Sequence, residues 1–148
     1  MSVTIQRQDF DVAAEIDALT KDRADIGAVV TFTGLCRDED GRLAALELEH
    51  YPGMAETEIA RIVAEADTRW PLQGMRVIHR VGKLAPGDRI VLVVAASRHR
   101  QAAFEAANFV MDFLKTRAPF WKKEHTGEGA GDWVDAKEAD DAATERWR

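Results

Sequence analysis

Residues 89–117 read RIVLVVAASRHRQAAFEAANFVMDFLKTR, and two hydrophobic periods meet inside them. Every residue from Ile90 to Val94 is apolar, so a strand over 89–96 is apolar on both faces and belongs in the middle of a sheet. Beyond it Ala103, Ala106, Ala107, Val110, Phe113 and Leu114 recur at helical spacing, which predicts a long helix from Arg98 to about Arg117. Ser97 stands between the two as the expected helix cap. Ala118-Pro119 ends the helix, because a proline disfavours the helical conformation of the residue before it.

The rest of the chain supplies partners for this strand and helix. Residues 3–6 form a short strand, and Asp9 is placed to cap a helix over roughly 10–19. A strand over Ile26–Thr33 ends at Gly34, and 43–51 alternates with Leu46, Leu48 and His50 on one face. Pro52-Gly53 breaks that strand before a helix over 54–70, with Ile59, Ile62, Val63 and Ala66 inward. Met75–Leu84 reads as one strand, joined to 89–96 by the Pro86-Gly87-Asp88 turn. Phe120–Glu124 is extended, 126–132 is a glycine-containing loop, Trp133-Val134 returns to the sheet, and 136–147 forms a polar terminal helix. The pattern is α+β: a mixed or antiparallel sheet with two main helices and a shorter one.

Composition bounds the function. The chain has 148 residues, one domain's worth, with 46% apolar and 31% charged residues and a net charge of −6. Five of those six negative charges belong to the acidic segment 124–148. The near-neutral body holds two basic clusters, Arg98-His99-Arg100 and 115–123 (KTRAPFWKK). This suits one small anion rather than nucleic acid. No run approaches the length of a membrane span and MSVTIQRQDF has no apolar signal region, so a cytoplasmic protein without a membrane partner is expected. The single cysteine, Cys36, allows neither an internal disulfide nor a cysteine-rich zinc site. No HExxH, CxxC, Walker loop or GxGxxG occurs, so neither a metal nor a cofactor is expected.

Lys115 sits on the last turn of the long helix, where it either complements the helix dipole or supplies a reactive amine. Lys122 and Lys123 follow the proline break in an extended segment, so they point to opposite faces and only one of them easily joins Lys115. His99 and Arg100 occupy the first turn of the same helix, where free backbone N–H groups favour a phosphate. Sixteen residues separate His99 from Lys115, about 24 Å at roughly 1.5 Å per residue. If both clusters serve one pocket, the second must come from another copy of the chain. Arg37 follows the Gly34 break, a usual place for a ligand contact. Cys36 is read as an inert small side chain or a thiol nucleophile, and His50 and His79 as core or edge histidines.

At these residues the sequence resembles the catalytic (large) subunit family of molybdopterin synthase. The resemblance runs through GAVVTFTG at 27–34, LEHYPGM at 48–54, RWPL at 69–72, VIHRVG at 77–82, PGD at 86–88, the His99-Arg100 pair, FEA at 104–106 and MDFLKTRAPFWKKE at 111–124. It implies an α/β hammerhead fold and a sulfurtransferase that converts cyclic pyranopterin monophosphate into molybdopterin. The dithiolene sulfurs would come from the thiocarboxylated C-terminal glycine of a small ubiquitin-like subunit. Two large subunits would form a homodimer with one small subunit at each end, and residues of both would line each pocket. By the same resemblance, Lys115 and Lys122 are the catalytic amines. Arg37, His99, Arg100, Lys123 and Glu124 bind the pterin phosphate substrate. Many members carry Lys where this chain has Leu35, and their following loop is longer. The alternative of another class is a non-catalytic module that binds a ubiquitin-like tail.

Overall fold

The computed structural model describes residues 1–38, 41, 43–127, 129–131, 133 and 144–147. In chain order the elements are β1 (Ser2–Gln6), α1 (Val12–Thr20), β2 (Ala28–Leu35), β3 (Leu43–His50), α2 (Met54–Arg69), β4 (Leu72–Arg80), β5 (Gly82–Leu84), β6 (Arg89–Ser97), α3 (Arg100–Thr116), β7 (Phe120–Thr126) and β8 (Gly129–Ala130). They build an α+β fold of two four-stranded sheets. The first has the order β1-β4-β6-β2 and the second β5-β3-β7-β8. Among the described residues, only β1 runs parallel to its neighbour, β4; the other pairings are antiparallel.

The double-sided apolar character of β6 has a direct cause. Val91, Val93 and Ala95 face a core shared with Ile59, Ile62, Val63 and Ala66 of α2 and Ala106, Phe109 and Val110 of α3. Leu92 and Val94 point the other way, to a smaller core with Ile78, Phe10 and the α1 residues Val12, Ile16 and Leu19. Burying each such side chain stabilises the fold by about 1.5–3 kcal/mol, so β6, with β4 and β2 on either side, is the backbone of the molecule.

Three local expectations are corrected. The segment 75–84 is two strands in different sheets: β4 closes with the Val81 N–H donating to the Gln6 carbonyl at 2.9 Å, and the chain then turns at Gly82 (φ +92°). That backbone conformation favours glycine, and a Cβ there would sit 2.6 Å from an Arg7 nitrogen. Ser97 is not a helix cap but the last residue of β6, its hydroxyl donating to the Pro71 carbonyl at 2.7 Å; His99 takes the cap position without a side-chain cap bond. Asp11, rather than Asp9, caps α1 through the Ala14 N–H. Asp9 instead takes a two-pronged contact from Arg89 at 2.8–3.0 Å.

Beyond β7 the chain returns to the second sheet at Gly129–Ala130 rather than at Trp133-Val134; Trp133 lies outside the strand and Val134 outside the described residues. Most of the terminal helix expected over 136–147 also falls outside them. At its end, Trp147 packs beside Trp70 and Phe109, with ring centroids 5.7 Å away in each case. Among the described residues, no helix is long and apolar enough to cross a membrane.

Candidate active site

The site is built where α3 ends and β7 begins. Lys115 is the basic residue of the last α3 turn and is exposed. The Ala118-Pro119 break then reverses the chain, and the Phe120 N–H donates to the Ala118 carbonyl at 2.8 Å. In β7, Phe120 lies opposite His50 of β3, Lys122 opposite Leu48, Lys123 opposite Glu47 and Glu124 opposite Leu46. Because side chains alternate along a strand, this register separates the two lysines.

Phe120 shows which face is which. Its ring stacks on His79 of β4, centroids 4.0 Å apart and nearly parallel at 15°, and tilts toward His50 at 6.3 Å. Lys122 and Glu124 share its face. Lys123 points away, its ammonium 4.5 Å above the Trp133 ring. Glu47, on that opposite face, bonds His125 at 2.8 Å, which holds its carboxyl below the usual carboxylate range. Of the two candidates, Lys122 therefore shares a face with the wall beside Lys115, and Lys123 does not.

His79 and His50 carry more than the sequence reading assigned to them. The Nδ1 atom of His79 lies 2.9 Å from the Arg80 carbonyl; a carbonyl only accepts, so Nδ1 carries the hydrogen and Nε2 the lone pair. Burial lowers the His79 pKa from 6.5 to about 4; the Arg80 bond opposes the shift, while Lys115 and His50 add to it. The ring is thus a neutral wall beside an ammonium. His50 turns Nε2 toward Glu56, 3.4 Å away, and its buried Nδ1 has no hydrogen-bond partner. Glu56 also accepts the Gly53 N–H at 2.5 Å; the backbone donors, with His50, hold its carboxyl below the usual range. Nothing in local spacing identifies these two histidines, since each looks like an ordinary strand residue.

The turn after β2 closes another edge. The Cys36 N–H donates to the Asp88 carbonyl at 2.8 Å and the Cys36 carbonyl accepts from Gly87 at 2.7 Å. Its thiol is buried, and burial pushes its pKa up, reinforced by Asp88, Asp38 and Glu124. That favours the unreactive thiol over the thiolate. Arg37 follows directly and is exposed. Glu124 acts on Cys36, so the start of the Arg37 turn and the Lys122 face belong to one neighbourhood.

His99 and Arg100 are elsewhere. Both are exposed at the N-terminus of α3, whose 17 residues separate them from Lys115 by about 24 Å at roughly 1.5 Å per residue. Close passage of Gly27 shapes this end: its N–H donates to the Ser97 carbonyl at 3.0 Å, and a Cβ would fall 2.2 Å from the Arg98 carbonyl oxygen. Among the described residues, no group of three or more His, Cys, Asp or Glu is arranged to hold a metal ion.

Comparison with known proteins meets this geometry. The model of the MoaE protein family matches residues 5–117. The molybdopterin synthase catalytic subunit of Mesorhizobium japonicum is 73% identical over 148 residues, covering 99% of this chain and 93% of the relative. That of Pseudomonas aeruginosa is 53% identical and covers 99% of each. Among solved structures, the molybdopterin biosynthesis MoaE protein from Burkholderia ambifaria superposes with a TM-score of 0.85 at 49% identity, covering 99% of this chain and 98% of that one. Molybdopterin synthase from Staphylococcus aureus superposes with a TM-score of 0.80 at 32% identity, covering 88% and 94%. The chain belongs to the MoaE protein family, whose curated relatives are molybdopterin synthase catalytic subunits.

Proposed function

We propose that this chain performs the family's sulfur transfer as follows. In the cytoplasm, small ubiquitin-like subunits each bring one thiocarboxylate on the C-terminal glycine. Each sulfur passes to cyclic pyranopterin monophosphate while water takes the acyl group and leaves a carboxylate, and two such transfers form the dithiolene of molybdopterin. The observation that carries the reading is the joining of Lys122 to the face that Phe120 presses against His79, beside Lys115. Two amines against a neutral aromatic wall suit an anionic thiocarboxylate and an anionic phosphate ester. They stabilise charge as the thiocarboxylate sulfur attacks the pterin and as water then attacks the acyl carbon to release that sulfur, and they exchange protons with the reacting groups.

His99 and Arg100 hold the substrate phosphate, using the first-turn amides and the positive end of the α3 dipole. Since they lie at the opposite end of that helix from Lys115, the pocket is completed by the second chain of a homodimer. Arg37 and Glu124 border the substrate beside the amines. Lys123, on the far face, contributes through the Trp133 contact rather than from inside the pocket.

The test is a reconstituted reaction containing the chain, the thiocarboxylated small subunit and the pterin precursor, followed by dithiolene formation. Lys115→Ala and Lys122→Ala each lower kcat by about 10²-fold or more, the scale of a lost positioned acid–base or electrostatic group, whereas Lys123→Ala stays within about threefold. Tail binding without product in the wild-type chain would overturn the enzyme reading in favour of a binding module.

A further inference from the structure

Phe120 is the first residue after the proline break and the first of the strand that carries Lys122 and Glu124. Its ring is contacted from both sheets: His79 of β4 stacks on it at 4.0 Å, and His50 of β3 lies 6.3 Å away. The second sheet also meets the first through the Val81–Gly82 turn, the Cys36–Asp88 contacts and the Arg7–Glu49 ion pair. The stack thus ties the start of β7 directly to the first sheet, next to the last turn of α3, where Phe120 also packs on the main core.

We infer that His79 is a positioning residue: stacked on Phe120 as a neutral ring, it fixes the start of β7 and so sets Lys122 and Glu124 against Lys115. One of its ring nitrogens is committed elsewhere, because Nδ1–H is donated to the Arg80 carbonyl. Burial and the neighbouring Lys115 and His50 both oppose a charge on the ring. The charged or titratable groups that the structure brings to this ring are Lys115 of α3 and His50 of β3, with Glu56 of α2 behind His50 and Lys122 and Glu124 on the Phe120 face of β7. A further cation among them would crowd the amines, whereas a neutral aromatic does not. Phenylalanine reproduces that platform and alanine does not, which separates positioning from proton transfer.

This inference deepens the sulfur-transfer reading and rests on it for the kinetic readout alone; the geometry is measured without it. In the full-length chain with its small subunit, His79→Ala should lower kcat by about 10²-fold, the effect of an ångström-scale misplacement. His79→Phe should restore it to within a few-fold, with the same pH profile as wild type. Phe120→Leu, which keeps an apolar side chain but removes the ring, should match His79→Ala. The double variant should be no worse than either single, since both break one contact. Independently of turnover, a short amine-reactive crosslinker should join Lys115 to Lys122 in wild type and His79→Phe, and at several-fold lower yield in His79→Ala and Phe120→Leu.

Full activity and unchanged crosslinking in His79→Ala would overturn the inference. So would a His79→Phe chain that folds, crosslinks as wild type and is as inactive as His79→Ala, because a ring nitrogen would then be required. If His79→Ala does not fold, the Phe120→Leu and His79→Phe chains carry the same decision. If wild type makes no dithiolene but the crosslinking pattern holds, sulfur transfer fails and the positioning role stands.

Discussion

His79 offers a measurement at the scale of one residue. Its imidazole keeps a pKa of about 4 in the folded chain against an ordinary 6.5. Between those values the unfolded chain binds a proton that the native chain refuses, so stability rises with pH across that window and is lost as pH falls through it. The full difference is on the order of 3 kcal/mol, since each pKa unit is worth about 1.4 kcal/mol. Urea unfolding of wild type should therefore weaken steadily from about pH 6.5 to about pH 4, and His79→Phe should lose most of that slope. The lowered carboxyls Asp9, Asp25, Glu47, Glu56 and Glu58 cannot imitate the upper part of the window, because each titrates below its ordinary value. An unchanged slope in His79→Phe would show that the ring takes up a proton in the native chain as readily as in the unfolded one. The face that Lys122 takes is also a matter of single residues: alternation was legible in the sequence as an either–or choice, and the His79 stack on Phe120 shows which face of β7 is which.

Among the elements, α3 carries the most. One face packs on β6, its two ends hold the two cationic clusters, and its flank receives the chain's C-terminus. There Asp112 accepts from the Trp147 indole and from Arg146, whose Nη2 is 2.6 Å away. Arg146 also donates to Asn108 at 2.9 Å, and Arg69 of α2 donates to the Trp147 carbonyl at 2.7 Å. Trp147 is half-buried against Trp70 and Phe109 while Arg146 is exposed, so the two residues should differ in weight. Trp147→Ala should lower the unfolding free energy by about 2 kcal/mol, below the cost of removing a fully buried tryptophan. Arg146→Ala should cost less than about 1 kcal/mol, the range of exposed ion pairs. Chemical denaturation of both variants checks the order, and equal losses would mean that Asp112, not the indole packing, anchors the terminus. This contact could not be read in advance, because a terminal tryptophan has no periodic partner in sequence.

For the whole molecule, the length of α3 determines what one chain is able to do. His99 and Arg100 begin the helix and Lys115 ends it, and no fold of a single copy brings the ends of a straight helix together. A shared pocket predicts complementation. Lys115→Ala and His99→Ala homodimers are each inactive, while a co-expressed mixture regains up to about half of wild-type activity per mixed dimer, since one of its two pockets is intact. Product formation from purified mixed dimers measures this, and a mixture as inactive as its parents would place each pocket within one chain.

Local period was enough to read the β6–α3 unit, the apolar face of α2, the position of Lys115 on a last helical turn and its separation from His99. Each of these follows from spacing along a continuous segment, where 3.6- and 2-residue repeats record which side is dry. Boundaries set by distant partners were not legible. The 75–84 run looks like one strand because both halves are apolar, and only pairing with β1 and β6 on one side, and with β3 on the other, divides it at Gly82. Ser97 has the chemistry of a cap but spends its hydroxyl on Pro71, a residue 26 positions away. The sequence by itself determined which chemical groups this protein possesses and how far apart one helix must hold them. Only the tertiary structure decided that His79 and Phe120 form the wall, that Lys122 rather than Lys123 turns toward it, and that Glu56 stands behind His50, because register and sheet membership are set by contacts between segments that no local pattern encodes.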